Sequence, residues 1–254
     1  MLKNYLDLND RTFVITGAGS GMGRATAVLC NDFGAKLILL DKDKDGLLET
    51  ATHLKNGTYL CYDLDLTNYE EIEPIIASAV NELGSLSGFC HCAGFEYTLP
   101  IKSMSVHHYQ ELFAINTIAG FELARIVSKK KYLSDQGASF VFIASIMGVV
   151  GRPGLTGYSA SKGALIAGSK SMALELASKR IRVNCISPGT VMTELIKKML
   201  DNLEPEQRDK RLSDFPLGIG EPNDVANLVA FLFSDRSRWI TGTNIIIDGG
   251  YTAK

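Results

Sequence analysis

The sequence predicts an α/β fold, in which one domain contains a doubly wound, parallel β-sheet with helices on both faces. Three observations lead to this prediction. Short apolar runs rich in β-branched and aromatic residues alternate with longer segments of helical periodicity along the whole chain. Glycine-containing turns separate several of these segments. The 254 residues contain no internal linker, repeat or low-complexity segment, and 46% of them are hydrophobic, so we predict a single domain over residues 1–254.

A glycine-rich turn joins the first predicted strand to the first predicted helix. Residues 12–16 (Thr-Phe-Val-Ile-Thr) form the strand, residues 17–23 (Gly-Ala-Gly-Ser-Gly-Met-Gly) form the turn, and residues 24–33 have helical spacing. Glycines let a pyrophosphate approach the N–H groups at the start of the helix, where the helix dipole favours an anion. The order of strand, turn and helix predicts a Rossmann-type dinucleotide site rather than a tight turn alone.

The second predicted strand, residues 36–40, ends at Asp41. A carboxylate at this point can accept both ribose hydroxyls of an adenosine and repels the 2′-phosphate of NADP, so Asp41 predicts that NAD(H) is preferred. Ser20, which precedes Gly21, is not basic, and this removes one possible partner for a phosphate. Lys42 is a counter-argument because its ammonium is close enough in sequence to bind a phosphate. A simple turn residue at the strand end is the alternative role for Asp41.

The remaining elements continue the alternation. A third strand is predicted at residues 58–62, an amphipathic helix at 68–83, and a fourth strand with its turn at 87–94. One long helix is predicted over residues 106–133, with Asn116 in its middle. A strand at 140–144, a helix that opens at Tyr158 and a strand at 181–186 complete the series. Strict alternation of this kind implies right-handed crossovers between parallel strands.

The stretch from Ser145 to Lys162 has the residues of an active site. The strand before Ser145 delivers it to the carboxyl end of the sheet, and Tyr158 and Lys162 share one helix face because they are four residues apart. An ammonium one turn away should lower the pKa of the phenol. Ser145 could then hold a carbonyl oxygen while Tyr158 donates a proton. Alone, a Tyr-x-x-x-Lys pair is more often a pair of ordinary neighbours on a helix surface.

Taken together, these motifs make the chain resemble the short-chain dehydrogenase/reductase family from end to end. Residues 16–23 match its cofactor turn, and residues 240–250 are similar to its last strand and turn. The resemblance implies a catalytic tetrad of Asn116, Ser145, Tyr158 and Lys162. It also implies a cofactor-binding half over about residues 1–140 and a catalytic and substrate half over about 141–254.

The resemblance extends to individual cofactor contacts. Lys162 is expected to bond the nicotinamide ribose, and Asn116 to open its helix locally and hold a water that relays protons to Lys162. Asp65 and Leu66 are expected beside the adenine, and Val191 and Thr193 beside the carboxamide. The full predicted cofactor set is Gly17, Gly19, Ser20, Gly21, Met22, Gly23, Asp41, Asp65, Leu66, Cys92, Ala93, Gly94, Tyr158, Lys162, Pro188, Gly189, Val191 and Thr193.

One turn departs from the family pattern. The family has Asn-Asn-Ala-Gly after the fourth strand, whereas this chain has His91-Cys92-Ala93-Gly94. The asparagine that braces neighbouring strands is therefore replaced, which puts the rigidity of the cofactor cleft in question. Cys90, His91 and Cys92 do not form a convincing metal site, because adjacent residues on a strand point to opposite faces. No metal is predicted.

Charge and composition exclude other classes of partner. The net charge of −2 gives no reason to expect nucleic acid or a membrane surface. Five irregularly spaced cysteines fit a reducing compartment better than a disulfide framework. Residues 2–10 are polar and acidic, no signal peptide is apparent, and no apolar run reaches the length of a membrane span. We therefore expect a cytoplasmic protein.

The substrate is less clearly indicated. Residues 146–150 are uncharged and mostly apolar, and the candidate lid over residues 192–216 mixes apolar and charged positions, which favours an uncharged or acyl-bearing carbonyl over a small diacid. The overall pattern is most similar to 3-oxoacyl-acyl-carrier-protein reductases. That resemblance implies an acidic acyl carrier protein as partner, docked at Lys129–Lys131 and at Lys179 and Arg180, and it implies a homotetramer. Lysines that only complement helix dipoles are the alternative.

Three functions remain open at this point. The first is NAD(H)-dependent reduction of a 3-oxoacyl thioester, although Asp41 argues against the NADPH usual in reductive fatty-acid synthesis. The second is the same chemistry on a sugar, polyol or other cyclic alcohol. The third is a non-catalytic dinucleotide-binding protein, against which the intact Ser145, Tyr158 and Lys162 argue. The sequence does not indicate the direction of the reaction, its stereochemistry or its pathway.

Overall fold

A computed structural model describes residues 6–56 and 58–253. The first five and the last residue of the predicted domain, and the first part of the polar stretch at residues 2–10, lie outside the described residues. The structure contains one parallel sheet of seven strands: β1 (Thr12–Thr16), β2 (Lys36–Asp41), β3 (Tyr59–Asp63), β4 (Leu86–His91), β5 (Ala138–Ile143), β6 (Ile181–Pro188) and β7 (Asn244–Ile247). The predicted fold class is confirmed.

Helices connect these strands. They are α1 (Gly21–Asp32), α2 (Lys44–Thr52), α3 (Tyr69–Leu83), α4 (Val106–Phe113), α5 (Ala119–Val127), α6 (Thr156–Leu176), α7 (Glu194–Asp201), α8 (Pro205–Ser213) and α9 (Pro222–Phe233). A π-helical turn, Ala114–Ile118, joins α4 to α5. None of the helices in the described ranges is both long and apolar enough to cross a membrane.

Apolar side chains cover the sheet on both faces. Helices α3, α5 and α6 pack on one face through Ile72, Leu123 and Leu165, whereas α1, α2 and α9 pack on the other. Every residue of β1, β4 and β5 is buried. Burial on both faces explains why these strands are continuous apolar runs rather than alternating ones.

The order of the strands determines where a ligand can bind. Across the sheet the strands run β3-β2-β1-β4-β5-β6-β7, so the order reverses between β1 and β4. Ligands of open α/β sheets bind in the crevice outside the carboxyl ends of the strands at this switch point. The turns after β1, β4, β5 and β6 all meet at that edge.

The prediction of one long helix over residues 106–133 is wrong about where the helix ends, and the helix is interrupted in its middle. It ends at Val127 rather than Leu133, because the following backbone bonds to the start of β4 instead. Leu86 N–H donates to the Tyr132 carbonyl at 2.7 Å, and Ser134 N–H donates to the Leu86 carbonyl at 2.9 Å. The interruption is the π turn that contains Asn116.

Candidate active site

The glycine turn brings the amino end of α1 to the switch point. Ser20 caps this helix without a side-chain hydrogen bond, and the first turn, which lies wholly within the described residues, has no acidic side chain. Gly17 passes so close to the turn after β4 that a Cβ atom there would lie 2.8 Å from Ala93 N. A side chain at Gly17 would push the two turns apart, so glycine is needed for this close approach.

Asp41 lies at the carboxyl end of β2 and faces the same cleft. Its Oδ2 atom accepts from Gly19 N–H at 2.8 Å, and its Oδ1 atom accepts from Asp43 N–H at 3.0 Å. The Arg24 guanidinium, the nearest basic group on α1, is held by the Glu49 carboxylate at 2.7 Å. Asp41 thus has a fixed orientation, and the basic side chain of α1 already pairs with another acid.

His91 replaces the bracing asparagine and makes the bracing contacts itself. Its Nε2 atom lies 3.1 Å from the Ile115 carbonyl, which can only accept, so Nε2 carries the proton. Its Nδ1 atom, 2.9 Å from Thr16 Oγ1, then accepts from that hydroxyl, and the hydroxyl accepts from Ala93 N–H at 3.1 Å. His91 therefore ties β4 to β1 and to the π turn, so hydrogen bonds between these neighbouring elements are present although the asparagine is replaced.

Burial keeps His91 neutral. The ring is 1% exposed, and burial lowers its pKa to about 3, assisted by the positive charge of Lys162. A protonated ring would lose the Nδ1 acceptor that holds Thr16. The neutral form is thus the one that fits the network.

Asn116 is fully buried in the π turn behind Gly94. Its side chain accepts from Phe95 N–H at 3.0 Å and donates to the Phe95 carbonyl at 2.9 Å, so it fixes the loop after β4. It also donates to Ser161 Oγ at 3.0 Å on α6. A Cβ on Gly94 would lie 2.9 Å from Asn116 Oδ1 and 3.2 Å from Lys162 Nζ, so the amide oxygen and the ammonium lie together on one side of this small residue.

Strand β5 delivers Ser145 to the cleft. Ser145 directly follows Ala144 at the end of this strand and caps a short 3₁₀ turn, Ile146–Gly148, where its Oγ atom accepts from Met147 N–H at 3.1 Å. The residue is 8% exposed. The cap fixes the position of the oxygen and leaves the hydroxyl proton available for another acceptor.

Tyr158 and Lys162 lie in the first two turns of α6, as predicted, but the predicted fall in the pKa of Tyr158 is wrong for this structure. Burial raises the pKa of Tyr158 to about 12, although its hydrogen bond with Ser145 lowers it. Lys162 Nζ lies 5.8 Å from the centre of the phenol ring and donates to the Ile143 carbonyl at 2.7 Å. Burial lowers the pKa of Lys162 to about 8.

Two adjoining cavities lie at the switch point, beside the carboxyl ends of the strands. The larger, about 700 Å³, is lined by Ser145, Tyr158, Lys162 and, among other predicted residues, by Met22, Cys92, Gly94, Gly189, Val191 and Thr193. The smaller, about 390 Å³, is lined by Asp41, Asp65, Leu66 and the turn residues Gly17, Ser20, Gly21, Met22, Gly23, Cys92, Ala93 and Gly94. Met22, Cys92 and Thr193 border both, so the cavities form one cleft.

Three predicted site residues do not line the cleft within the described structure. Gly19 and Pro188 lie in its turns, where Gly19 holds Asp41, and Asn116 acts from behind Gly94. Sequence reasoning also missed charged residues of the larger cavity, which include Glu96, Arg152, Arg211 and Asp214. Arg152 is two residues beyond the apolar segment that was taken as the substrate wall, and this proximity was the signal that could have found it.

The cleft fits a nicotinamide dinucleotide. The N–H groups at the amino end of α1 face the smaller cavity without competing acidic groups in the described first turn, which suits a pyrophosphate. Asp41 suits the adenosine ribose at one end of the cleft, and Lys162 suits the nicotinamide ribose at the other. Fold and cleft together define a Rossmann-type oxidoreductase with a Ser-Tyr-Lys site.

Known proteins resemble this chain over almost its full length. Residues 17–252 match the family model described as enoyl-(acyl carrier protein) reductase. A 3-oxoacyl-[acyl-carrier-protein] reductase of Thermotoga maritima is 34% identical over 248 residues, which cover 96% of this chain and 98% of that protein. An NAD-dependent glycerol dehydrogenase of Listeria innocua is 32% identical over 249 residues, which cover 98% of this chain and 96% of that protein.

A solved structure leads to the same family. A short-chain type dehydrogenase/reductase from Mycobacterium ulcerans superposes with a TM-score of 0.91 at 28% identity, and the match covers 98% of this chain and 92% of that chain. The chain belongs to the short-chain dehydrogenase/reductase family of NAD(P)-binding oxidoreductases. The resemblance stated from the motifs is confirmed.

Proposed function

We propose that this protein reduces the carbonyl group of a 3-oxoacyl thioester with NADH. The observation that carries the proposal is that Ser145, Tyr158 and Lys162 line the same cavity of about 700 Å³, with the Lys162 ammonium 5.8 Å from the centre of the phenol ring. The similarity to the 3-oxoacyl-[acyl-carrier-protein] reductase of Thermotoga maritima supports the thioester class.

The side chains divide the work around the substrate oxygen. NADH, when bound, supplies the hydride. The Ser145 hydroxyl donates to the carbonyl oxygen and fixes its position. Because burial raises the pKa of Tyr158 to about 12, the phenol is protonated at neutral pH and is able to donate the proton that the new alkoxide needs. Lys162, whose pKa burial lowers to about 8, stays mostly charged at neutral pH and stabilises the phenolate left behind.

Several observations support NAD(H) over NADP(H). The Asp41 carboxylate lines the smaller cavity, where it would repel a 2′-phosphate. The Arg24 guanidinium is paired with the Glu49 carboxylate at 2.7 Å, so its charge is already partly neutralised. Lys42 lines the cavity and is exposed, so it is the remaining basic group that a phosphate could reach.

The basic surface proposed to bind an acyl carrier protein is partly neutralised by an acidic residue. Lys129 and Lys131 both contact the Glu73 carboxylate, at 2.5 and 3.1 Å, and this reduces the basic surface that an acidic carrier would need.

A homotetramer through α4, α5 and α6 is also proposed. It is supported by apolar side chains exposed on these helices, since Ile118 in the π turn is 46% exposed and Leu174 is 83% exposed.

The second candidate is a dehydrogenase of a sugar, polyol or other cyclic alcohol. The similarity to the NAD-dependent glycerol dehydrogenase of Listeria innocua favours it, as do the charged residues of the larger cavity, which could bind several hydroxyl groups. A third candidate, a non-catalytic dinucleotide-binding protein, would bind NADH without turnover.

The test measures the rates of NADH and NADPH oxidation with an acetoacetyl thioester for the wild-type protein and for Asp41→Ala. We expect the wild type to use NADH at least about tenfold better in kcat/KM, because the carboxylate repels the 2′-phosphate, and Asp41→Ala to narrow this ratio. Asp45→Ala is the control, since Asp45 is an exposed acid four residues away that does not line the cleft in the described structure.

The outcomes separate the candidates. Equal kcat/KM values for NADH and NADPH in the wild type would contradict the role of Asp41. A ratio of these values that stays the same in Asp41→Ala would also contradict it. Oxidation of polyols with NAD, in the absence of thioester reduction, would establish the second candidate. Binding of NADH with no turnover on either panel would establish the third.

A further inference from the structure

The cavity that holds Ser145 and Tyr158 also contains two guanidinium groups. Arg152 lies in the loop between Ser145 and α6, and Arg211 lies in the last turn of α8. Both side chains line the cavity that the substrate must enter. The two arginines come from segments that are far apart in sequence, so the fold alone brings them together.

Arg211 lacks the partners that a partly buried guanidinium needs. Its Nε atom is buried and has no hydrogen-bond partner within the described chain. No carboxylate of the described residues forms an ion pair within 4.0 Å of Arg152 or Arg211. Arg208, one turn earlier on the same helix, does have such a partner, because Asp201 lies 3.8 Å away. An unsatisfied buried donor is unfavourable, and more so when it is charged.

The two guanidinium groups also repel each other. Burial lowers the pKa of Arg211, and the charge of Arg152 lowers it further. The carboxylates of Glu96 and Asp214 act in the opposite direction, but they do not cancel the effect. A negatively charged group placed between the two arginines would relieve both the repulsion and the unsatisfied donor.

We propose that Arg211 and Arg152 bind an oxyanion group of the substrate while its carbonyl lies at Ser145 and Tyr158. A guanidinium presents several donors in a plane, which matches the oxygens of a carboxylate or a phosphate. Two sources fit this chemistry: a carboxylate at the far end of a keto acid, and the phosphate on the pantetheine arm of a thioester. The inference rests on the proposed function, and it names the group that the substrate carries beyond its carbonyl.

A binding experiment tests the inference without turnover. Keto acids from 4-oxopentanoate to 7-oxooctanoate, and their methyl esters, are titrated calorimetrically into Tyr158→Phe saturated with NADH. We expect at least one acid to bind more tightly than its ester. Arg211→Gln and Arg152→Gln, each added to Tyr158→Phe, should lower the affinity for that acid by about 10- to 100-fold. The affinity for the ester should stay unchanged. Arg208→Gln is the control, since Arg208 is exposed and outside the described cavity lining.

A kinetic experiment distinguishes the two sources. Acetoacetyl-pantetheine with and without its 4′-phosphate is supplied to the enzyme with its native Tyr158, and KM is compared with that of Arg211→Gln. A KM advantage of the phosphorylated substrate that Arg211→Gln abolishes identifies the phosphate; tight binding of a keto acid without that advantage identifies the carboxylate.

Failure of the inference differs from failure of the proposed function. Equal affinities of every acid and its ester, together with equal KM values for the two pantetheine thioesters, would overturn the oxyanion site. An effect of Arg211→Gln no larger than that of Arg208→Gln would do the same. Selective binding of an acid without turnover of any ketone would support the oxyanion site and contradict the proposed reduction. Thermal unfolding checks that each variant is folded. If Arg211→Gln does not fold, Arg152→Gln provides the second variant, because Arg152 is exposed.

Discussion

At the scale of single residues, His91 shows how a departure from a family pattern is accommodated. An asparagine offers one amide, whereas the imidazole offers a donor and an acceptor on opposite sides of a ring. In this chain those two atoms reach Thr16 at 2.9 Å and Ile115 at 3.1 Å. The geometry works only for the neutral ring, so the replacement introduces a titratable group into the brace.

The buried histidine makes stability depend on pH. Burial lowers the pKa of His91 from 6.5 to about 3 in the native state, so between these pH values the unfolded chain binds a proton that the native protein does not. The contribution of His91 to the free energy of unfolding is therefore complete above about pH 6.5 and is lost as the pH falls towards 3. The difference corresponds to ~5 kcal/mol in total.

Replacing His91 with phenylalanine tests this brace. His91→Phe leaves the Thr16 hydroxyl and the Ile115 carbonyl without a partner, and each buried group costs ~1 to 3 kcal/mol. We expect the free energy of unfolding in urea to fall by roughly 2 to 5 kcal/mol at pH 7.5. At pH 4.5 the difference in free energy of unfolding between the variant and the wild type should be smaller. The wild type is then destabilised because His91 binds a proton in the unfolded chain but not in the native protein, whereas the variant has no ring to protonate.

The exposed His53 provides the control for that comparison. His53→Phe should differ little from the wild type at either pH. A gap between His91→Phe and the wild type that stays the same at pH 7.5 and 4.5 would show that His91 does not titrate as described.

Residue roles were predictable from the sequence only where a local motif defines them. Ser145, Tyr158 and the turn at residues 17–23 lie where their motifs predicted them. The direction of the pKa shift of Tyr158 was wrong, because spacing on a helix does not show that the Lys162 ammonium points to the Ile143 carbonyl and that the phenol is buried. The contacts of His91 depend on three separate elements and have no signal in the sequence.

At the scale of elements, the helix over residues 106–127 is the part that the site depends on most. Its π turn, Ala114–Ile118, turns the Ile115 carbonyl to His91 and the Asn116 side chain to the loop after β4. Helix α5 then passes over β4 and β5 at Gly120, where a Cβ would lie 2.7 Å from His91 Cδ2 and 3.1 Å from Phe142 Cε1. Glycine at this position permits the close packing.

A matched pair of substitutions tests this packing. Gly120→Ala adds a methyl group to a filled space, so we expect it to lower the free energy of unfolding by ~1 to 3 kcal/mol despite the better helix propensity of alanine. Gly163→Ala, in the interior of α6, meets only the Gly148 carbonyl at 3.5 Å and should raise stability by ~0.5 to 1 kcal/mol. Both values come from urea denaturation, and a stabilising Gly120→Ala would contradict the described contact.

Elements were largely predictable because apolar runs and glycine turns mark strands and helix starts. The end of the helix at Val127 was not, because residues 128–133 contain no glycine or proline to mark it, whereas Tyr132 and Ser134 bond to Leu86 at the start of β4. A hydrogen bond to a distant strand leaves no periodic trace in the sequence. The π turn was expected only from the family resemblance.

At the scale of the whole molecule, the strand order creates one cleft from distant segments. The sequence predicted a doubly wound parallel sheet but not the place where its strand order reverses, which lies between β1 and β4 and brings the turns after both strands beside each other. That reversal joins the Asp41 end of the cleft to the Tyr158 end. Helix α8 belongs to the candidate lid over residues 192–216, where charged positions were expected, and its Arg211 lines the larger cavity.

The proposed reaction depends on Tyr158, which donates the proton to a carbonyl held at Ser145. The most direct test is the rate of NADH oxidation with a saturating acetoacetyl thioester, measured for the wild type and for Tyr158→Phe, with NADH affinity measured alongside by fluorescence titration. We expect the variant to bind NADH as the wild type does and to turn over ~10²- to 10⁴-fold more slowly, because it lacks the acid. Turnover at the wild-type rate in Tyr158→Phe would contradict it.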